Sequence, residues 1–318
     1  MQSRKLGKQG PETSIVGFGA WEAGGEDYGP NPSEEDVVRA IREGLDAGMN
    51  WIDTAEIYGD GRSEELIGRA IQGRRDDVLI ATKVAPAPYG TGFREREVRR
   101  ACEQSLARLG IDRIDLYQLH WPDDEAGVPL GETWGAMAGL VDEGKVRCIG
   151  VSNFSRELIE SCLASRHVDS LQPHFSILHP QDRDLVRWCG QQGIGVVAYG
   201  PLAFGLLTGS IDESTKFHPK DWRSGGGISY YKRMFAPGKL ERSLAVVDRL
   251  RPIADRLGVT LAQLALAWTF HQVGVTSAIA GSRNPKHARS NAEAGDIELD
   301  DKTLEEIEQL IPLGPDFA

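Results

Sequence analysis

The segment Asn50-Trp51-Ile52-Asp53-Thr54-Ala55-Glu56-Ile57-Tyr58-Gly59 puts a carboxylate shortly ahead of a phenol, and two later β-rich runs end on Lys83 and on His120. Those four side chains could make an acid–base site. A phenol in water ionises near about pH 10, so a tyrosine that exchanges protons at neutral pH needs a cation or an imidazole beside it. Lys83 and His120 are the available neighbours, and Asp53 would orient the ammonium and keep it charged. In such an arrangement Asp53 orients, Lys83 tunes and Tyr58 donates a proton, while His120 hydrogen-bonds the tyrosine hydroxyl or a substrate carbonyl oxygen. Taken singly, each residue has a plainer use: Tyr58 as a packed ring, His120 as a satisfied buried histidine, Asp53 with Lys83 as a structural ion pair.

What could bring the four together is the rhythm of the chain. Short β-rich runs at 15–19, 50–53, 78–83, 116–120, 148–152, 170–173, 195–199 and 276–280 alternate with longer segments of helical period. That alternation predicts repeated βα units and a parallel sheet, and eight strands fit a closed (β/α)8 TIM barrel. Strand C-termini of a barrel converge on one face, and catalytic groups come from several strands. Asp53, Lys83 and His120 end the second, third and fourth strands, and Tyr58 lies just beyond the second, so all four share one mouth. Their meeting there favours chemistry over the plainer uses.

Ser33 with Glu34, Glu35 and Asp36 reads as a helix start, as does Ser63 with Glu64 and Glu65, because acidic groups suit the exposed amides and the dipole of a first turn. Further helices are expected over 94–109, 131–143, 156–165, 184–192, 240–257, 261–271 and 285–294. The residues up to Thr13 carry glycine-bearing turns and predict an N-terminal β-hairpin that caps the barrel bottom. The long loop after the seventh strand, 200–239, breaks the rhythm with Pro201, Pro219, Gly225-Gly226-Gly227 and Pro237. A loop of that length inside a compact domain is usually functional or disordered. No linker divides the chain, so 1–318 reads as one barrel domain.

With 36 basic against 47 acidic residues the net charge is -11, which disfavours nucleic acid and anionic membrane as partners. Neither a secretion signal nor a bilayer-length apolar run is present, and a cytoplasmic protein is expected. Cys102, Cys148, Cys162 and Cys189 form no C-x-x-C pair and read as reduced, buried thiols, and no His and carboxylate cluster has metal-ligand spacing. A doubly wound sheet is the competing architecture, since Gly17-Phe18-Gly19-Ala20-Trp21-Glu22 holds the first two glycines of a dinucleotide fingerprint; Glu22 stands where the third belongs and no helix follows at once. A barrel hydrolase or isomerase lacks its paired carboxylates or metal ligands.

At this point the chain resembles the aldo-keto reductases, NAD(P)H-dependent (β/α)8 barrel enzymes, from the first strand to Asn291. Asp53-Thr54-Ala55 with Tyr58-Gly59, Ser63-Glu64 and Gly68 is similar to the first signature of that family, and Leu116-Tyr117-Gln118-Leu119-His120-Trp121-Pro122-Asp123 to its histidine signature. Lys83 in Ile80-Ala81-Thr82-Lys83 completes the tetrad of the family. The resemblance implies reduction of an aldehyde or ketone: hydride passes from nicotinamide C4 while Tyr58 protonates the oxygen. It also leaves a second possibility, an NADPH-sensing regulatory or accessory subunit with slow turnover.

By the same resemblance Ser152 and Asn153, in Gly150-Val151-Ser152-Asn153-Phe154, and Gln172 on the next strand hold the nicotinamide carboxamide, and Tyr199 stacks on its ring. A strand end capping the next helix is an equally good use of Ser152 and Asn153. The run Gly200-Pro201-Leu202-Ala203-Phe204-Gly205-Leu206-Leu207-Thr208-Gly209 would cradle the pyrophosphate through backbone amides. Gly281-Ser282-Arg283-Asn284-Pro285-Lys286-His287-Ala288-Arg289 concentrates positive charge at a helix N-terminus in an acidic protein, which suits an adenosine 2′-phosphate. Ser282 and Arg283 match the phosphate-binding positions of the family and Asn291 its adenine position, while His287 replaces the usual Gln or Glu. NADPH is the expected cofactor, with NADH as an option. A small carbonyl substrate would meet Trp21 and Trp121 beside Tyr58 and His120; Tyr28, Tyr89, Trp222, Tyr230 and Tyr231 add aromatic surface and Arg223 a possible anion contact. Substrate identity and oligomeric state are not encoded legibly.

Overall fold

In the computed structural model, residues 1–25, 28–30, 32–123, 125–224, 231 and 233–311 are described. The chain runs β1 (Ser3–Lys5), β2 (Glu12–Ser14), β3 (Val16–Gly19), α1 (Glu34–Asp46), β4 (Trp51–Asp53), α2 (Arg62–Ala70), β5 (Leu79–Val84), α3 (Glu95–Leu109), β6 (Ile114–Leu119) and α4 (Leu130–Asp142). It continues through β7 (Val146–Ser152), α5 (Arg156–Leu163), β8 (Ser170–Gln172), α6 (Arg183–Gln192), β9 (Gly195–Ala198), α7 (Lys239–Leu257), α8 (Leu261–His271), β10 (Val275–Ala280), α9 (Pro285–Glu293) and α10 (Asp301–Glu308). Strands β3 to β10 pair in parallel in chain order and close on themselves through β10 and β3. This is the (β/α)8 barrel that the rhythm predicts.

Alternation along the strands sorts the barrel interior into layers. Trp51, Ala81, Leu116, Cys148, Val197 and Ile279 form one inner apolar cluster, and Leu6 from the N-terminal hairpin of β1 and β2 packs into it. The hairpin therefore plugs the bottom. A Cβ on Gly17 would lie 2.2 Å from the Trp51 indole, so glycine there leaves room for a large ring inside a narrow barrel. Two residues further along the same strands, and so on the same inner side, stand Asp53, Lys83, Gln118 and Tyr199. The core below is apolar and the layer above it carries chemistry. A second, larger apolar cluster lies between the strands and the surrounding helices, with Phe18, Ile41, Ile67, Val98, Met137, Val186 and Trp268 among its buried members.

Helix α1 starts as its sequence predicts: the Ser33 hydroxyl accepts from the Asp36 amide at 3.1 Å, with three acidic residues in the first turn. The start expected at Ser63 is displaced. Helix α2 begins at Arg62 after Gly61, and Ser63 turns inward, donating to the Ala20 carbonyl and accepting from Thr54 Oγ1, each at 2.8 Å. Glu64 is likewise buried, held by Thr82 Oγ1 at 2.6 Å and by Arg108. These groups tie strand ends together instead of capping a helix. Helix α10, absent from the sequence expectation, is capped by Asp300 on the Thr303 amide at 2.8 Å. Among the described residues of the loop 200–239 there are three short 3-10 turns, Ala203–Thr208, Trp222–Ser224 and Arg233–Phe235; Gly225-Gly226-Gly227 and Tyr230 lie outside the described residues. Among the described residues no helix is long and apolar enough to cross a membrane.

Candidate active site

Lys83, wholly buried near the end of β5, donates to Asp53 Oδ1 at 2.5 Å and to the Thr54 carbonyl at 2.7 Å. The other carboxylate oxygen, Oδ2, accepts from the side-chain amides of Gln172 at 2.8 Å and Gln118 at 3.2 Å. Burial pulls the Lys83 ammonium below its ordinary pKa, and Asp53 opposes that pull by charge and hydrogen bond. The ion pair is thus dry, directional and anchored by two neutral amides.

Above it, the Tyr58 hydroxyl lies 3.4 Å from His120 Nε2, and the Lys83 ammonium sits 5.3 Å from the centre of the Tyr58 ring. The four residues expected to meet do meet. Their electrostatics differ from the expectation in one respect. Burial is the largest influence on Tyr58 and pushes its pKa well up, with the Asp53 charge adding to the rise. These influences outweigh the Lys83 ammonium, whose charge is paired with Asp53, so Tyr58 holds its proton at rest. His120 is driven well below 6.5 by burial and by Lys83, and is neutral. A protonated phenol beside a neutral imidazole can donate to an oxygen that gains charge.

Tyr58 is placed by glycine packing. A Cβ on Gly24 would lie 2.5 Å from the Tyr58 carbonyl carbon, and one on Gly59 would lie 1.7 Å from the Gly24 carbonyl oxygen. The two backbones touch because neither residue has a side chain. Gly24→Ala should force them apart and displace the hydroxyl, lowering kcat by roughly 10- to 100-fold while the NADPH Kd stays within about 2-fold. Steady-state kinetics with a binding titration check this, and an unchanged kcat would contradict it.

Around this centre, Ser152 Oγ donates to the Gln172 carbonyl at 2.9 Å, and Asn153 Nδ2 donates to the His120 carbonyl and to Ser152 Oγ, both at 3.1 Å. Asn153 takes a positive φ of 60°, and its Oδ1 accepts from the Tyr199 hydroxyl at 2.8 Å. Tyr199 also accepts from the Tyr231 hydroxyl at 2.9 Å. Ser152, Asn153 and Tyr199 therefore form one rim; Gln172 lies deeper, on Asp53. Trp21 stacks at 6.3 Å on Tyr58 and at 6.2 Å on Trp222, while Trp121 packs 4.7 Å from His120 and 6.1 Å from the exposed Tyr89.

After β9 the chain makes a left-handed run, with φ of 64° at Gly200, 47° at Ala203, 54° at Phe204 and 102° at Gly205. Two consecutive non-glycine residues in that region store strain, and such strain concentrates at ligand clamps. Pro201 and Leu207 are buried under this turn, and Leu202 and Gly205 are half-buried. Across the mouth, Arg283 donates to the Tyr28 carbonyl at 2.7 Å and to the Pro30 carbonyl at 3.1 Å. Both bonds go to carbonyl oxygens; no carboxylate lies at ion-pair distance among the described residues, and the charge acts at longer range on Glu22. Ahead of α9 the Asn284 amide donates to Ser282 Oγ at 3.0 Å, Gly281 is half-buried beside it, His287 is exposed, and Asn291 is buried on the inner side of α9. Arg223, a possible anion contact on the sequence reading, grips the buried Asp221 carboxylate at 2.9 and 2.6 Å and lies 5.1 Å over the Tyr28 ring.

Sequence reasoning missed Gln118, although it stands two residues before His120 and so shares its side of the strand. Glu22 was noted only as a departure from a glycine pattern; burial raises its pKa, opposed by Arg283 and Arg223. Three histidines, His120, His174 and His179, are held below the ordinary 6.5, His179 at about 4, chiefly by burial. Their folded values lie below the unfolded one, so the unfolded chain binds protons first as pH falls, and the stability they contribute is complete above 6.5 and lost below it. For His179 the loss runs down to about pH 4. Replacing His179 by Phe should flatten the fall of Tm between pH 7 and 5; an equal fall in wild type and variant would contradict the sign.

Residues 15–312 match the model of the aldo/keto reductase family. Aldo-keto reductase YhdN of Bacillus subtilis (strain 168) is 34% identical over 332 aligned positions, covering 100% of this chain and 97% of that protein. A probable voltage-gated potassium channel subunit beta of Arabidopsis thaliana is 33% identical, covering 99% of this chain and 98% of its own length. Among solved structures, an aldo-keto reductase from Klebsiella pneumoniae in complex with NADPH superposes with a TM-score of 0.76 at 32% identity, covering 99% of this chain and 97% of the other. The chain belongs to the aldo/keto reductase family. It is an NAD(P)H-dependent oxidoreductase.

Proposed function

We propose that this chain reduces aldehydes or ketones with NADPH, Tyr58 supplying the proton. The observation that carries the reading is the dry Asp53–Lys83 pair beneath a protonated Tyr58 whose hydroxyl lies 3.4 Å from neutral His120 at the barrel mouth. Bound NADPH supplies a hydride from its nicotinamide C4. Tyr58 and His120 hydrogen-bond the substrate oxygen, and the Tyr58 hydroxyl proton passes to that oxygen as negative charge grows there. Lys83 and Asp53 fix the site from below, the ammonium steadying the phenolate that remains. Trp21 and Trp121 flank the opening and keep water from the exchange. In the oxidation direction the same phenolate takes the proton back.

The donors for the cofactor are the rim and the turn. Asn153 and Ser152 suit a carboxamide, with Gln172 behind them; Tyr199 offers a half-buried flat face, and the strained turn over Gly200, Pro201, Leu202, Gly205 and Leu207 suits a pyrophosphate. Gly281, Ser282 and Arg283 ahead of α9, with His287 and Asn291 on that helix, make the adenosine end, where the Arg283 guanidinium favours a 2′-phosphate. The complex of the Klebsiella pneumoniae enzyme with NADPH supports the same class of cofactor. Arg283→Ala should cut the ratio of kcat/KM for NADPH over NADH by roughly 10- to 100-fold, the size of a lost charged hydrogen bond. A ratio that does not move would mean that Arg283 does not read the phosphate. The small-molecule substrate is a carbonyl compound, and the four buried thiols, pushed up to about 12, suit a reducing cytoplasm.

The resemblance to a potassium channel β subunit favours a second reading, an accessory protein that senses NADPH and turns over slowly. Substrate-dependent NADPH consumption that disappears in Tyr58→Phe separates the two readings, since a sensor binds the nucleotide without consuming it at an enzymatic rate.

A further inference from the structure

The segment after β8 builds something the tetrad does not use. Backbone bonds clamp Tyr199 to it: the Tyr199 amide donates to the Pro173 carbonyl at 3.0 Å, and the Phe175 amide donates to the Tyr199 carbonyl at 3.1 Å. Beneath the Tyr199 ring lies the His174 imidazole, its centre 5.2 Å away and its plane tilted by 16°. A tight turn in which Ser176 and His179 exchange backbone hydrogen bonds brings the His179 imidazole under His174, at 4.0 Å and 17°. Three rings thus form one near-parallel stack of Tyr199, His174 and His179, and both histidines are buried. His174 also reaches the strained turn. A Cβ on Gly200 would lie 2.9 Å from its Cδ2, and its ring meets Phe204 at 5.3 Å and Tyr231 at 5.6 Å.

We propose that His174 is a positioning residue: with His179 beneath it, it sets the plane and height of the Tyr199 ring, and so of the nicotinamide ring that Tyr199 would carry. The inference rests on the reading of Tyr199 as the nicotinamide platform. Hydroxyl bonds to Asn153 and Tyr231 fix the edge of the Tyr199 ring, and an edge contact by itself does not set the tilt of a ring plane. A flat ring below removes that tilt, because stacked aromatic faces have a preferred spacing and orientation that an aliphatic side chain lacks. Burial keeps both imidazoles uncharged at neutral pH, so the faces attract and do not repel. The same ring presses on the turn at Gly200 and Phe204, so ring height and phosphate turn are set by one residue.

His174→Leu fills the space without a flat face, and His174→Phe restores the face without the nitrogens. NADPH alone is titrated by fluorescence, and kcat, carbonyl KM and the isotope effect with C4-deuterated NADPH are then measured. We expect His174→Leu to raise the NADPH Kd roughly 3- to 10-fold, lower kcat and raise the isotope effect, with carbonyl KM within about 2-fold, and His174→Phe to restore all three. Combined with Tyr199→Ala, His174→Leu should add less loss of affinity than it causes alone, the remainder coming from its contact with the turn at Gly200. If His174→Leu fails to fold, His179→Leu removes the lower ring alone and should move the same quantities in the same direction. Wild-type NADPH affinity in a folded His174→Leu, alongside weak binding in Tyr199→Ala, would overturn the role of His174 and leave the platform reading intact. Unchanged affinity in Tyr199→Ala would remove the platform and this inference with it.

Discussion

Tyr58→Phe should lower kcat by roughly 10²- to 10⁴-fold, the usual worth of a positioned proton donor, while the NADPH Kd stays within about 2-fold. The substitution removes one oxygen and keeps the ring, so the stacking on Trp21 at 6.3 Å and the contact of Lys83 with the ring at 5.3 Å survive. What goes is the proton, together with the 3.4 Å contact to His120. His120 cannot take over readily: burial and the Lys83 charge hold it well below 6.5, so it carries no spare proton at neutral pH. With Tyr58 pushed up and His120 pushed down by burial, neither titrates near neutrality, and the wild type should show a flat pH profile of kcat/KM across the neutral range. Activity retained in the variant would reject Tyr58 as the donor.

Lys83→Met should cost about 3 to 5 kcal/mol of stability, because it leaves the Asp53 carboxylate buried with no cation. Asp53 is 2% exposed and would keep only the amides of Gln172 and Gln118. Desolvation would then raise its pKa, and the folded variant would bind a proton that the unfolded chain does not. The sign follows: the deficit should be largest at neutral pH and shrink as the pH falls through the raised value. Adding Asp53→Asn removes the orphaned charge and should recover much of the stability, with no recovery of turnover, since the phenolate left on Tyr58 would have no cation beside it. Urea unfolding of the single and double variants at several pH values measures this. Equal stability of Lys83→Met and wild type would mean that the pair is not the dry anchor described.

The barrel was legible because its strands are short, β-rich and evenly interleaved with helical segments, and closure follows from eight of them. Strand ends were displaced by a residue or two, as at β6, which begins at Ile114 and not at 116. The meeting of Asp53, Tyr58, Lys83 and His120 was legible for a geometric reason: strand C-termini of a barrel share a face. What could not be read were contacts that depend on register and on side-chain direction. The two amides on Asp53 come from β6 and β8, and only the closed barrel sets them opposite a residue at the end of β4. Ser63 and Glu64 carry the composition of a helix start and yet point inward, because buried Thr54 and Thr82 and half-buried Arg108 outcompete the amides of a first turn. Arg223 looked available until the fold of its own loop closed it on Asp221. The stack of His174 and His179 needs a turn that pattern alone does not announce.

The most direct test is NADPH oxidation followed with a panel of sugar aldehydes, aromatic aldehydes and short dicarbonyls. At least one should be reduced at roughly 1 per second or faster, the lower range of ordinary enzymes, with alcohol formed in proportion to NADPH lost. Tight NADPH binding with no carbonyl-dependent oxidation across the whole panel would contradict the account and favour the nucleotide sensor.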